Sequence, residues 1–241
     1  MIVLLTLSSL LFAVTRAQYL YAVDVNKLGS SANFSCMLAN GYTTAFIRGY
    51  KPDGWGSVDE NGVKNINMAY FGGKMMTEVY MEPNPTSGKS AVTQVQEMID
   101  SLRNGGMSVR TIWIQVKNPS VWSSSQATNY NFILQAIQCI SAQSIKPGVY
   151  TSQYDWQQIT GNGAATTNYL WYAQSSGPGL GGESASNFND FIPFGSFTYP
   201  KVKQFADSEN ICGMTVNRDV FQANTIIKST KNTKRIVVGN F

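Results

Sequence analysis

Apolar residues in this chain fall into short runs of two kinds, and the two kinds alternate along most of its length. Runs rich in β-branched and aromatic residues predict strands over residues 19–25, 44–50, 77–81, 109–116 and 147–151. Between them, apolar positions recur at helical spacing and predict helices over 31–38, 65–72, 90–102, 129–143 and 154–160. In 90–102 the stripe is Val92, Val95, Met98, Ile99 and Leu102. In 129–143 it is Phe132, Ile133, Ala136, Ile137 and Ile140. Asn40-Gly41 and Gly72-Gly73 supply stop signals. Three further strands, 169–173, 201–205 and 214–220, follow without long helices, and 177–189 reads as a loop rich in Gly and Ser.

Strands that take turns with helices predict parallel βαβ units. Eight strands, with helices confined to the first part, predict an α/β fold: a barrel whose last strands pair through hairpins. Reactive side chains in such barrels sit at the C-terminal strand ends. That rule selects Asp24, Arg48, Tyr50, Tyr80, Glu82, Gln115, Lys117, Tyr150, Trp171, Tyr172, Gln204, Asn217 and Asp219. A rim crowded with aromatic rings and amides has the composition of a sugar cleft, where rings stack on pyranose faces and amides bond hydroxyls. Core aromatics with hydroxyls reaching water are the alternative for part of this set.

The first residues change the picture at one end. An apolar run over 2–14 closes on Thr15-Arg16-Ala17, too short to span a bilayer, and predicts a signal peptide over 1–17. The barrel is expected over 18–221 and a basic, solvated tail over 222–241, with Lys228, Lys231, Lys234 and Arg235 carrying the charge. The chain has no histidine, which excludes His-based triads and His-ligated metals. Of its three cysteines, Cys139 lies on a helix face and reads as a buried free thiol, leaving Cys36–Cys212 as the default bridge in an oxidising compartment. Asn33-Phe34-Ser35 is the one usable N-glycosylation sequon, since Asn84-Pro-Thr and Asn118-Pro-Ser are blocked by proline.

The segments AVDVN, FIRGY, TEVYMEP, TIWIQV, GVYTSQYDW, LWYA, VKQF and VNRDVF, in this order, resemble the family 25 glycoside hydrolases, lysozymes that cut peptidoglycan, and most of all their nematode lysozyme-like branch. The resemblance runs from Tyr19 to about Phe221. It implies a flattened β/α barrel of five β/α units plus three further strands. It also implies an acid on the opening strand, here Asp24, an Asp-x-Glu pair ending the fourth strand, and an acid on the closing strand. The pair falls on Gln115 and Lys117. The last acid falls on Asn217, with Asp219 two residues on and facing the same side.

Glycoside hydrolysis needs a proton for the leaving oxygen and a group that stabilises the oxocarbenium-like centre. A lysine ammonium gives up its proton far less readily at neutral pH than a carboxylic acid, and Gln115 cannot shuttle protons. Asp24 is the leading catalytic candidate, with Glu82 or Asp219 as a second carboxylate; Glu82 could instead be paired with Lys117 or Arg48. Asp207-Ser-Glu209 reads as a loop decoy, and Glu97 with Asp100 as an exposed helix face. Tyr50, Tyr80, Gln115, Lys117, Tyr150, Trp171, Tyr172, Gln204 and Asn217 are the expected substrate-binding residues. Two readings follow: a secreted or vesicle-stored protein that acts on bacterial cell-wall glycan in digestion or defence, or a non-catalytic glycan-binding pseudoenzyme. No metal or organic cofactor, no nucleic-acid partner and no stable membrane insertion is implied, and a monomer is expected.

Overall fold

The computed structural model describes residues 18–223 and 235–241. The segment read as a signal peptide lies outside the described residues, as do Lys228, Lys231 and Lys234 of the basic stretch. The strands are β1 (Tyr19–Val25), β2 (Tyr42–Lys51), β3 (Ser57–Val58), β4 (Met76–Met81), β5 (Met107–Val109), β6 (Thr111–Val116), β7 (Lys146–Thr151), β8 (Leu170–Ala173), β9 (Val202–Ile211), β10 (Met214–Gln222) and β11 (Ile236–Val238). The helices are α1 (Ser31–Ala39), α2 (Gly62–Asn67), α3 (Ala91–Asn104), α4 (Gln126–Ala142) and α5 (Gln153–Thr160).

Eight strands close a barrel in the order β1-β10-β9-β8-β7-β6-β4-β2, sealed by the β1–β2 pairing, with β3 added to β2. This is the α/β barrel expected from the strand–helix alternation. Four of these five α-helices start where a serine side chain caps them: Ser30, Ser90, Ser125 and Ser152 each accept a hydrogen bond from a backbone N–H of the first turn. Their apolar faces pack on the outside of the barrel, and Val95, Met98, Ile99, Ile133, Ala136 and Ile140 are fully buried there.

Several boundaries differ from the sequence expectation for local reasons. The last strands do not pair only through hairpins: β8 is parallel to β7 and β9, and β10 alone runs antiparallel, to β9 and β1. A long crossover between β8 and β9 replaces the missing helix, packed by Phe188, Phe191, Phe194 and Phe197. β9 runs on to Ile211, so Asp207 and Glu209 sit on a strand rather than in a loop. Glu209 is buried and paired with Arg218 at 2.8 Å. Of the helix face expected to be exposed, Asp100 is exposed, while Glu97 is partly exposed and accepts hydrogen bonds from Tyr50 and Lys89.

The C-terminus corrects the expected tail. β11 pairs in parallel with β5, a strand split from β6. Gly239 N–H donates to the Thr77 carbonyl, Asn240 bonds Glu78, and Phe241 enters the barrel against Phe46, Trp113 and Phe221. Residues 236–241 are therefore folded against the barrel: β11 forms a separate two-stranded sheet with β5, Ile236 and Val238 are buried, and Phe241 joins the aromatic cluster inside the barrel. Cys36 and Cys212 are bridged, with Cα atoms 5.9 Å apart, tying α1 to the β9–β10 turn. Cys139 is free and half-buried. Asn33 of the sequon accepts from Ser30 N–H and donates to the Cys212 carbonyl at 2.9 Å. No helix among the described residues is long and apolar enough to cross a membrane.

Candidate functional site

Alternation along each strand decides what faces the barrel axis. Inward residues include Ala22 and Asp24 on β1, Phe46 and Arg48 on β2, Glu78 and Tyr80 on β4, and Trp113 and Gln115 on β6. Tyr150 on β7, Trp171 on β8, Gln204 on β9, and Asn217 and Asp219 on β10 complete the set. Phe46, Trp113 and Trp171 fill the middle, and Tyr150 stacks on Trp171 with centroids 3.7 Å apart. Above this aromatic layer, at the strand C-termini, the polar residues gather.

Asp24 is the carboxylate of the barrel mouth. It accepts from Asn217 Nδ2 at 2.9 Å and lies 3.3 Å from the Tyr150 hydroxyl; Tyr80 bonds the same carboxylate. Burial pushes its pKa upward, against these hydrogen bonds and the nearby Lys117 charge, which pull the other way. Lys117 Nζ donates to Gln204 Oε1 at 3.1 Å and to the Tyr150 oxygen at 3.3 Å, and sits 4.8 Å from the Tyr150 ring centroid. The Tyr150 hydroxyl also bonds Gln204. Asp24, Tyr150, Gln204, Lys117 and Asn217 thus form one connected network.

Beside this network opens a cavity of about 350 Å³. Gln115, Lys117, Glu82, Asn84, Asn118 and Trp122 are among its walls. Glu82 does line the cavity, but its Oε2 is bound by Arg48 Nη1 at 2.9 Å, while Arg48 Nε holds Asp59 at 2.8 Å. Of the two pairings open to Glu82, the structure has the one with Arg48. Asp219 lies one layer below Asp24: the register sets Asp24 opposite Asn217 but Asp219 opposite Ala22. Asp219 is fully buried under Trp171, whose indole donates to it at 2.9 Å. Burial and the Asp24 charge push its pKa well up.

Two expected cleft residues point elsewhere. Tyr172 follows the inward Trp171, so alternation turns it outward; its hydroxyl donates to Asp190 at 2.5 Å, beside Phe191. Tyr50 lies past a register shift between Arg48 and Tyr50, which flips its side chain toward α3, where it donates to Glu97 at 2.8 Å. The structure also places residues that strand-end reasoning missed. Asn84, Asn118, Ser120 and Trp122 line the cavity from the loops after β4 and β6. Trp122 Nε1 donates to the Lys117 carbonyl at 3.0 Å, fixing the strand end. Glu78 is buried at the other end of the barrel, bonded by Trp113 and Asn240, with its pKa pushed up to about 7 by burial. Its position two residues before the inward Tyr80 was the available signal.

The sequence profile described as Lysozyme-like protein 1 matches residues 15–205. Lysozyme-like protein 7 of Caenorhabditis elegans is 39% identical over 227 residues, 93% of this chain and 80% of its own length. A Dictyostelium discoideum protein named "Probable GH family 25 lysozyme 2" is 32% identical over 193 residues, 80% of this chain and 86% of its own. Among solved structures, a family GH25 lysozyme from Aspergillus fumigatus superposes with a TM-score of 0.63 at 17% identity, covering 86% of this chain and 95% of that one. A lysozyme from Streptomyces coelicolor gives 0.62 at 20% identity, covering 87% and 95%. These superpositions speak for the barrel; the sequence matches carry the family.

Proposed function

This chain belongs to the lysozyme-like proteins of glycoside hydrolase family 25, and from that premise we propose that it binds bacterial peptidoglycan in the cleft at the barrel mouth without cutting it by the two-carboxylate route. The observation that carries the reading is Lys117. Where the family resemblance implies the general acid, an ammonium group donates to Gln204 and Tyr150. A cation there disfavours positive charge at the anomeric carbon and supplies no ready proton. The neighbouring candidates do not make good the loss. Glu82 is held by Arg48, and Asp219 is sealed beneath Trp171. Replacing a general acid typically forfeits ~10²–10⁴ in rate. The segment 1–17 fits export to the exterior or to a lysosome-like compartment, and the role that follows is capture of bacterial wall material in defence or digestion.

One observation favours a second reading, slow hydrolysis with Asp24 as the acid: its pKa is pushed up by burial, so that it retains a proton to higher pH than an ordinary aspartate. The test is release of soluble, reducing-end-bearing fragments from purified peptidoglycan, with sedimentation of the protein onto the same material. The proposal expects sedimentation with no release above background. Release that collapses in Asp24→Asn overturns it in favour of the second reading.

A further inference from the structure

The cleft wall carries a positive charge that forms no direct ion pair among the described residues. Lys117 has no carboxylate within 4 Å among the described residues; its two hydrogen-bond partners, the Tyr150 hydroxyl and the Gln204 amide oxygen, are both neutral. An ammonium group has three donors, so one remains after these two. The acids nearby are already engaged. Glu82 shares the cavity but is bound by Arg48 at 2.9 Å. Asp24 is bonded by Asn217 and faces Lys117 through the Tyr150 hydroxyl rather than directly. Asp155 accepts from Asn118 N–H and from Ser152. Beside Lys117, the half-buried Gln115 amide lines the same cavity with no hydrogen-bond partner among the described residues. One free ammonium donor and one free amide, side by side on a strand end, offer the donor pair that a carboxylate accepts.

We infer that Gln115 and Lys117 form a carboxylate-binding subsite, so that the cleft selects saccharides bearing a free carboxylate over neutral ones of the same length. The inference rests on the glycan-binding reading and names the chemical class that this reading leaves open. The carboxylate has two possible sources: an acidic ether arm on an amino sugar, as in muramic acid, or the ring carboxylate of a uronic acid. The cavity, at about 350 Å³, is in the size range of small-ligand pockets, room enough for a sugar ring with an acidic substituent.

The test is calorimetric titration of the full chain with three probes: a peptide-free tetrasaccharide alternating N-acetylglucosamine and N-acetylmuramic acid, neutral chitotetraose, and tetragalacturonate. A charge-assisted hydrogen bond predicts a preference of about tenfold for a carboxylated probe over chitotetraose. Lys117→Met brings the carboxylated and neutral probes to equal affinity, Lys117→Arg retains the preference, and raising the salt concentration weakens it in the unmodified protein. Whichever acidic probe is preferred identifies the source. Equal binding of all three, or a preference that survives in Lys117→Met, overturns the subsite while sedimentation onto peptidoglycan still upholds the glycan-binding reading. Loss of sedimentation as well overturns both.

Discussion

Lys117 donates to Gln204 across the barrel mouth at 3.1 Å, and this link between β6 and β9 occupies the place where a lysozyme of this family is expected to hold its proton donor. The network is self-consistent: Gln204 offers its oxygen to Lys117 and to the Tyr150 hydroxyl, and Asn217 turns its amide to Asp24. An acid at 117 would meet the Gln204 oxygen as one acceptor facing another. Gln115→Asp with Lys117→Glu is therefore expected to restore reducing-end release from peptidoglycan to at least about tenfold above the unmodified protein, a fraction of the ~10²–10⁴ a general acid can supply. Adding Gln204→Glu lowers that gain through like-charge crowding. No gain in the double variant means that more than the acid pair has been lost.

Glu78 sets a pH dependence of stability at the other end of the barrel. Its carboxylate is buried with Trp113 and Asn240 as hydrogen-bond donors and Lys146 as the nearby charge, and its pKa rises from the usual 4.5 to about 7. The folded protein thus binds this proton more tightly than the unfolded chain, so stability falls as pH rises through the window from about 4.5 to 7. At about 1.4 kcal/mol per unit, the loss is on the order of 3 kcal/mol. Asp24 and Asp219, also pushed up, act in the same direction. Calorimetric melting should show a lower Tm at pH 7.5 than at pH 5, with a smaller difference in Glu78→Gln. An unchanged difference in the variant assigns the effect to other groups.

Phe241 closes the floor that Glu78 borders. Its ring meets Phe46, Trp113 and Phe221 at centroid distances of 5.3–6.0 Å and is 3% exposed. Its carbonyl oxygen accepts from Lys146 at 3.0 Å. Phe241→Ala is expected to cost about 3–5 kcal/mol, as large-to-small changes at packed aromatic sites do. Denaturant melts followed by tryptophan fluorescence check this, because Trp113 is in contact. A loss under about 1 kcal/mol would mean that the ring is not packed in solution.

The barrel was legible from the sequence because its strands and helices differ in period, and the period also gave the inward set at Asp24, Tyr80, Gln115, Tyr150, Trp171, Gln204 and Asn217. Three things were not legible. The register shift beside Gly49 inserts a residue that no local pattern betrays, and it turned Tyr50 outward. The C-terminal strand sits beyond a basic stretch that reads as solvated, and only the pairing with β5, distant in sequence, buries its apolar residues. The loops after β4 and β6 supply most of the cavity wall, yet their prolines and amides carry no periodic signal. Glu82 illustrates the remaining limit: its partner was narrowed to Lys117 or Arg48, and only three-dimensional placement chose Arg48.

Tyr50 offers a test of that register shift. Aligned by simple alternation, its hydroxyl would face the glycan, and Tyr50→Phe would weaken binding. In the structure the hydroxyl donates to Glu97 on α3, a carboxylate that Lys89 also holds at 2.9 Å, and the ring is fully buried. Removing the hydroxyl deletes one hydrogen bond to a charged acceptor, about 1.5–3 kcal/mol at the upper end, and Lys89 keeps Glu97 from being left unpaired. The expected result is a Tm lowered by roughly 3–12 °C for a domain of this size, with sedimentation onto peptidoglycan unchanged. Tyr150→Phe is the matched control: it loses the hydroxyl that joins Asp24, Gln204 and Lys117 and should weaken binding. If the two variants exchange these effects, the strand register at Gly49 is wrong and Tyr50 belongs to the cleft.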